Sequence, residues 1–304
     1  MNDYLQIKPE VLEALNTNKA VVALESTIIS HGFNYPENLE TAKACEDIIY
    51  KEGAIPATIG IRNGKILVGM NQDDLEYFAT NKSITKVSRR DVISTLATKQ
   101  DGATTVATTM MFAAMANIKL FATGGIGGVH KHGETTMDVS ADLLELAQTN
   151  VNVVCSGAKS ILDLEKTKEV LETHGVSILG YQTTAFPDFY TRDSGLLVDY
   201  MAKDAQEIAE IILTKDKLKI TNGTLIANPI PEEFEMDPDF IRTKIKEAIA
   251  SSIKENIKGK DVTPYLLAYL HKHTDGKSVI ANKALVINNA QVAAKIAVAL
   301  TKLR

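Results

Sequence analysis

The chain has 304 residues, of which 45% are hydrophobic and 23% charged, a composition typical of a globular protein with a large core. Its net charge of -5 makes nucleic acid or an anionic membrane surface an unexpected main partner. The two cysteines, Cys45 and Cys155, lack metal-type spacing, which disfavours disulfides and thiolate zinc sites and fits a reducing cytoplasm. The first residues lack a secretion signal, and no uninterrupted apolar run approaches the ~18 residues needed to cross a membrane.

Short β-type runs alternate with helical patterns along the chain. The run AVVAL (20–24) precedes a helical pattern that begins near Pro36. In ATIGIRNGKILVG (57–69), the pair Asn63-Gly64 between two β-type runs predicts a type I′ hairpin, and therefore an antiparallel pair of strands. Further β-type runs lie at 84–88, 119–124, 151–155, 176–181 and 223–229. This alternation predicts a three-layer α/β/α fold around a central mixed, largely parallel sheet.

Three further stretches carry structural predictions. Residues 160–164 are predicted to open a helix, which would place Lys159 in its first turn. The segment 228–238 is typical of a surface loop, and the segment 282–303 is apolar on nearly all sides, which predicts a buried helix. Because no linker, repeat or low-complexity tract divides the chain, residues 1–304 are predicted to form a single α/β domain.

Polar residues follow several of the predicted strands. Glu25 comes after the first run, Lys86 lies within ITKVS, and Lys159 follows VNVVC in the sequence SGAK. The glycine-rich stretch GGIGGVHKHGETTMDVSAD follows residues 119–123. Ligands bind at the carboxyl ends of parallel strands, so we expect these loops to meet at one rim of the sheet.

Several familiar sites are disfavoured. GGIGGVH departs from the dinucleotide fingerprint at its sixth position, although its glycines could either turn N–H groups toward an anion or form a tight loop without a ligand. A zinc site at His130 and His132 has no third ligand at a sensible spacing, and Lys131 would oppose a cation. Ser26 and Ser156 lack the surroundings of a hydrolase nucleophile, so a serine triad is not supported.

Glu25 and Lys159 are candidates for chemistry. Desolvation at a strand end would raise the pKa of Glu25 and make it an acid near neutral pH, whereas the alternative is an exposed carboxylate. Burial and a helix N-terminus would disfavour protonated Lys159, leaving an amine to attack a carbonyl, whereas the alternative is an exposed loop lysine. Lys86 is a candidate for phosphate binding.

The MDVSAD stretch has a structural and a functional interpretation. Ser140 is a plausible helix N-cap with Asp142 in the first turn, which explains both residues without a ligand. Asp138 suits a hard cation held beside a phosphate, although most aspartates in such places are only solvated.

Taken together, these motifs resemble the pseudouridine-5′-phosphate glycosidase family, which is related to the indigoidine synthase A type proteins. The resemblance runs over nearly the full length. It rests on ALESTIISHGFNYPENLETA (23–42), KVSRRD (86–91), GATTVATTM (102–110), FATGGIGGVH (121–130), MDVSADL (137–143), CSGAKSILD (155–163) and NKALVINNA (282–290).

The resemblance implies a lyase that reversibly cleaves the C–C glycosidic bond of pseudouridine 5′-phosphate with water, giving uracil and ribose 5-phosphate. It also implies one divalent cation per subunit, typically Mn²⁺, and a homotrimer. By motif, Glu25 matches the proton donor, Lys159 the nucleophile that forms an imine with the sugar, and Asp138 the metal ligand. The matching substrate contacts are Lys86, Val106, Ser140, Ala141 and Asp142, mainly around the sugar phosphate, and His130 and Asn282 near the base and the open-chain sugar.

The implied reaction explains the need for a lysine, because carbon 5 of uracil is a poor leaving group for an ordinary two-carboxylate glycosidase. The hypothesis is that Glu25 protonates the ring oxygen, the furanose opens, and Lys159 adds at carbon 1. Two alternatives remain open. One is an aldolase-type lysine imine enzyme acting on another sugar phosphate, and the other is a non-catalytic sugar-phosphate sensor.

Overall fold

The computed structural model describes residues 3–257, 259 and 262–304. Its centre is an eleven-stranded sheet. The described residues form thirteen strands: β1 (Leu5–Ile7), β2 (Val21–Leu24), β3 (Ile55–Arg62), β4 (Lys65–Val68), β5 (Thr85–Val87), β6 (Gly102–Thr104), β7 (Leu120–Ala122), β8 (Val129–His130), β9 (Asn152–Cys155), β10 (Leu162–Asp163), β11 (Ile178–Tyr181), β12 (Tyr200–Ala202) and β13 (Leu225–Ala227). Strands β8 and β10 pair with each other in a separate two-stranded sheet, and the other eleven form the central sheet.

Helices surround this sheet. They are α1 (Pro9–Asn16), α2 (Glu37–Lys51), α3 (Gln72–Thr80), α4 (Val92–Ala97), α5 (Val106–Met115), α6 (Gly133–Thr136), α7 (Ala141–Gln148), α8 (Leu164–Thr173), α9 (Ala205–Lys217), α10 (Pro238–Lys254), α11 (Val262–His273) and α12 (Lys277–Leu303). One π-helical turn, Ile28–Gly32, and two short 3₁₀ turns, Arg89–Asp91 and Glu232–Phe234, lie between them.

The sheet is mixed but largely parallel. Its strand order is β1-β4-β3-β2-β7-β9-β13-β11-β12, with β6 added antiparallel to β3 and β5 parallel to β6. From β3 to β12 along this order every pairing is parallel. Helices α2, α9 and α12 pack together on one face, while α5, α7 and α8 form the other layer. The predicted three-layer α/β/α fold is confirmed.

The predicted hairpin is also confirmed. β3 and β4 pair antiparallel with Arg62 opposite Lys65, so only two residues form the turn. Asn63 and Gly64 both have positive φ values, 50° and 69°, as a type I′ turn requires. The sequence therefore specifies the antiparallel edge of the sheet through local turn geometry alone.

Helix α12 lies in the core, as predicted. By length and composition alone it could cross a membrane, but 61% of its most apolar window is buried inside the protein. It packs against β2, β7 and β9 and against helices α2 and α9. Its apolar surface on nearly every side is therefore explained by protein neighbours.

Two local predictions are wrong. Residues 160–164 do not open a helix, because Leu162 and Asp163 form strand β10 against β8 and α8 begins only at Leu164. The Asp163 side chain caps α8 by accepting the N–H of Lys166, so Lys159 lies in a loop before the cap and away from a helix dipole. The segment 228–238 is a loop with one 3₁₀ turn, but Asn228 and Ile230 in it are buried. That the whole chain forms a single domain stays a prediction.

Candidate active site

A cavity of about 620 Å³ lies at the carboxyl edge of the parallel strands. Every predicted site residue except Asn282 lines it: Glu25, Lys86, Val106, His130, Asp138, Ser140, Ala141, Asp142 and Lys159. Asn282 lines a small adjoining cavity of about 60 Å³, whose wall also includes Glu25, Lys86 and Lys159. The structure therefore brings the predicted residues together from loops spread over most of the chain.

Glu25 lies directly after β2, whose four residues are all buried, and it is itself half-buried. Thr123, which follows the neighbouring strand β7, donates a short hydrogen bond from Oγ1 to the Glu25 carboxylate. Burial raises the pKa of Glu25, although the ammonium of Lys159 and the bond from Thr123 oppose the rise. The predicted direction is confirmed, and it favours a carboxyl group that can hold a proton.

The loop that carries Lys159 is fixed on both sides. The Lys159 N–H donates to the Ile126 carbonyl at 3.1 Å, and the Ser160 hydroxyl donates to the Asp188 carbonyl at 2.8 Å. Gly157 has φ 78°, and a Cβ there would lie 2.1 Å from the Pro187 carbonyl oxygen. The tight backbone approach therefore requires glycine, and it holds the half-buried Lys159 against the cavity.

Two helix N-termini face the same cavity. Thr105 precedes α5 and Ser140 precedes α7, each as an N-cap whose hydroxyl accepts a backbone N–H. The first N–H groups of the two helices, those of Val106 and Ala141, have no intrahelical acceptor. Because Lys86 lines the cavity beside them, this end has the donors and positive charge that a phosphate needs.

The Asp142 carboxylate joins three of these loops. One of its oxygens accepts the Ala107 N–H at 2.9 Å and the other accepts the Gly127 N–H at 2.8 Å. A Cβ at Gly127 would lie 2.3 Å from the Ser140 hydroxyl, so the loop can approach only without a side chain. The N–H of Gly127 therefore donates to a carboxylate of the protein itself. The side chain of Asp142 thus holds the glycine-rich loop and the start of α5 together.

Asp138 is the candidate metal ligand. Its carboxylate is half-exposed and lies near His130, with His130 Nδ1 4.0 Å from Asp138 Oδ2. Burial lowers the pKa of His130 although the Asp138 charge opposes this. Among the described residues no group of three or more acidic, histidine or cysteine side chains could hold a metal. This donor set fits a hard cation that keeps most of its waters and shares a phosphate oxygen.

Sequence reasoning overlooked two polar residues of the site. Thr123 holds Glu25, and the only sequence feature that pointed to it was its place near the end of the predicted β-type run 119–124. Arg89 lines the cavity and forms a salt bridge with the fully buried Glu145. Arg89 lies within the quoted motif KVSRRD, but Glu145 is 56 residues away, and nothing local links the two.

The fold and the site together define a class of three-layer α/β proteins with a lysine and a protonatable carboxyl group beside an anion site. The model of the indigoidine synthase A like proteins matches residues 10–299. The chain belongs to this family.

Relatives with assigned names agree closely in length. A pseudouridine-5′-phosphate glycosidase of Brachyspira hyodysenteriae is 57% identical over 297 residues, covering 98% of this chain and 96% of the relative. A protein of the same name from Caldanaerobacter subterraneus is 54% identical over 303 residues, covering 100% of this chain and 99% of the relative. The similarity therefore includes the whole fold and not only its motifs.

Solved structures of the same fold are also similar. The prealnumycin C-glycosynthase AlnA in complex with ribulose 5-phosphate has a TM-score of 0.92 and 38% identity, covering 100% of this chain and 99% of its own. An indigoidine synthase A-like protein of Thermotoga maritima has a TM-score of 0.89 and 34% identity, covering 98% of this chain and 96% of its own.

Proposed function

We propose that the protein reversibly cleaves the C–C glycosidic bond of pseudouridine 5′-phosphate with water, giving uracil and ribose 5-phosphate. The observation that carries the proposal is the shared cavity wall of Glu25, Lys86 and Lys159 beside two helix N-termini. This arrangement supplies an acid, an amine and an anion site within one cavity. The names of relatives more than half identical to the chain support the same activity.

The phosphate would bind at the N–H groups of Val106 and Ala141 with the ammonium of Lys86. These groups hold the sugar so that its ring lies toward Glu25 and Lys159. Asp142 keeps both loops in place through its bonds to Ala107 and Gly127. Binding energy at the phosphate is thus used to orient carbon 1 of the sugar.

Glu25 then donates its proton to the ring oxygen, and the bond from that oxygen to carbon 1 breaks. The amine of Lys159 forms a bond to carbon 1. The bond from carbon 1 to carbon 5 of uracil breaks with its electron pair remaining on carbon 5, which takes a proton, while the nitrogen lone pair forms the iminium. Water adds to the iminium and releases ribose 5-phosphate, which regenerates the amine.

A divalent cation, with Mn²⁺ as our candidate, would be held by Asp138 with water and a phosphate oxygen. When bound, it would neutralise part of the phosphate charge. Asp138→Asn and treatment with a chelator should both raise the KM for the phosphorylated substrate. Restored activity on adding Mn²⁺ to the chelated wild type, but not to Asp138→Asn, would support this assignment.

The activity is tested by incubating the protein with pseudouridine 5′-phosphate and Mn²⁺ and measuring uracil release. Borohydride added with ribose 5-phosphate should attach the sugar to Lys159, which peptide mass spectrometry would locate. Release of no uracil by the wild-type protein would overturn the proposal. Attachment of sugar without uracil release would favour the aldolase-type alternative, because that enzyme shares the imine but not the base.

We also propose a cytoplasmic homotrimer, as expected for the family. The cytoplasmic location is supported by the two free, buried cysteines, which suit a reducing compartment. Light scattering of the purified protein tests the assembly, because a trimer would have three times the 33.1 kDa chain mass.

A further inference from the structure

We infer that the nucleobase enters and leaves through a second cavity, separate from the one that admits the sugar phosphate. The inference rests on the proposed function. A cavity of about 570 Å³ lies beside the active site, and exposed residues of α11 and of the turn after it, among them His271 and Asp275, form part of its rim. Its inner wall includes the buried residues Ser278 and Asn282 of α12.

A small cavity, which we call the passage, lies between this second cavity and the active site and shares lining residues with both. The passage is the cavity of about 60 Å³ described above. It shares Glu25, Lys86 and Lys159 with the active-site cavity. It shares Gly32, Pro264, Leu267 and Asn282, among others, with the second cavity. Glu25, Lys86 and Lys159 therefore line both the active-site cavity and the passage, and the passage adjoins the second cavity.

The order in which the bonds break explains why a second opening would be needed. Uracil is released while carbon 1 of the sugar is still bonded to Lys159 and the phosphate still lies at the N-termini of α5 and α7. The sugar then occupies the active-site cavity and obstructs that route. The base must leave on the other side of Lys159, where the passage lies, before water hydrolyses the imine.

The chemistry of the passage suits a neutral heterocycle. The side-chain oxygen of Asn282 is buried and has no hydrogen-bond partner among the described residues. Asn282 is 7% exposed and lines both the passage and the second cavity. A ring N–H of uracil is a donor that this oxygen lacks, and Pro264 and Leu267 supply apolar surface for the ring.

The passage is small, so Leu267 on α11 is the side chain whose movement would widen it. Gly32 lies in the same wall and leaves space that any side chain would reduce. The second cavity also carries Lys82 and Lys272 with Glu37 and Asp275, a balanced set of charges. An anionic sugar phosphate is therefore better matched to the cavity with Lys86 and the two helix N-termini.

The test closes each opening reversibly. Both native cysteines are buried, and burial raises the pKa of each thiol to about 12, so a thiol reagent should label an introduced cysteine selectively. Ala268→Cys places a thiol in the second cavity, and Ile93→Cys places one in the active-site cavity. Ala114→Cys, at an exposed position near the far end of α5, is the matched control. Each variant is modified with a benzyl thiosulfonate and restored with dithiothreitol.

Modified Ala268→Cys should lose about tenfold in kcat/KM for uracil in the synthetic direction, because its route is blocked. Its rate of borohydride trapping with ribose 5-phosphate should stay within about twofold of the unmodified variant. Modified Ile93→Cys should lose trapping with ribose 5-phosphate, and modified Ala114→Cys should change in neither assay. Dithiothreitol should restore every loss.

Equal loss of both reactions in modified Ala268→Cys, or loss of neither, would overturn the second route. Failure of the wild-type protein to trap ribose 5-phosphate or to use uracil would instead contradict the proposed function. The two failures are thus distinguishable within one set of measurements.

Discussion

Both edges of the central sheet contain buried charged side chains, but the hydrogen-bond partners of these side chains differ between the two edges. At the amino edge, the ammonium of Lys215 donates to Asn152 Oδ1 at 2.7 Å and to Asn222 O and Thr224 Oγ1, each at 2.9 Å. All three donors of this lysine have acceptors, which is the complete set that an ammonium can use. Burial lowers the pKa of Lys215 to about 8.

At the carboxyl edge, Glu25 and Lys159 instead line open space, and the Asn282 oxygen lacks a partner in the described part of the chain. Burial there raises the pKa of Glu25. Lys215 has no hydrogen-bonding capacity left for a ligand, whereas buried polar groups that face a cavity can still bind one. The difference between the edges is therefore the presence of unfilled hydrogen-bonding capacity beside a cavity.

Lys159→Ala should produce the largest effect. The variant loses the amine that bonds to carbon 1, so kcat for uracil release should fall by about 10⁴-fold or more. Its melting temperature should match the wild type, because the backbone of the Lys159 loop, not its ammonium, makes the bonds that fix the loop. Lys159→Arg is the control that keeps charge without a nucleophile. Activity within tenfold of wild type in both variants would contradict the assignment.

Lys215→Ala should have the opposite effect: it should lower the free energy of unfolding and leave kcat unchanged. Three acceptors at the amino ends of β9 and β13 would lose their donor, which costs about 3 kcal/mol in the free energy of unfolding. Urea titration measures this loss, and kcat per folded molecule should stay unchanged. Lys215→Met, which keeps the length of the side chain, separates the lost hydrogen bonds from lost packing. A fall in kcat without a fall in stability would disprove the structural role.

The expected effect of Asp142→Asn lies between those of Lys159→Ala and Lys215→Ala. Asp142 is buried and hydrogen-bonded like Lys215, but it lies at the carboxyl edge with Lys159. Ala107 and Gly127 donate to different oxygens of the carboxylate, and in asparagine one of these oxygens is replaced by an NH2 group, which cannot accept a hydrogen bond. The two loops that shape the phosphate site should then shift, raising the KM for ribose 5-phosphate about tenfold with a smaller change in kcat. Steady-state kinetics in the synthetic direction measure both constants. An unchanged KM would show that the two hydrogen bonds accepted by Asp142 are not needed to position the loops.

The sequence predicted those parts of the molecule that depend on local patterns. The Asn63-Gly64 hairpin and the buried α12 follow from turn chemistry and periodicity, which depend on neighbouring residues. The same patterns predicted strands β2 to β5, β7, β9, β11 and β13 but not the short strands β1, β6, β8, β10 and β12. Glu25 could be proposed because it directly follows a buried strand, and Lys159 because it lies in the short loop after another. The raised pKa of Glu25 follows from the same position.

Long-range contacts account for what could not be predicted. The pairing of β10 with β8 prevents the helix expected at 160–164, and its partners are about 30 residues apart in sequence. Asp142 was predicted to lie in the first turn of a helix or to contact substrate, but its carboxylate accepts the N–H of Ala107, 35 residues earlier. No sequence pattern predicted the buried position of Lys215, because only the fold brings its acceptors on Asn152 and Thr224 together.

Glu25→Gln should change the free energy of unfolding only slightly, and the sign of this change separates the two edges further. The pKa of Glu25 is raised by folding, so ionised Glu25 destabilises the native state, and this cost appears as pH rises above the pKa of the unfolded chain. Glutamine carries no charge, so the variant should unfold with about 1 kcal/mol more free energy than wild type at neutral pH. Below the unfolded pKa, Glu25 is protonated in both states and the difference should vanish. Urea titrations of both proteins from acid to neutral pH measure this difference. A variant that is less stable than wild type at neutral pH would mean that the native state gives the Glu25 carboxylate a full set of partners, as it does the Lys215 ammonium, and the contrast between the edges would fail.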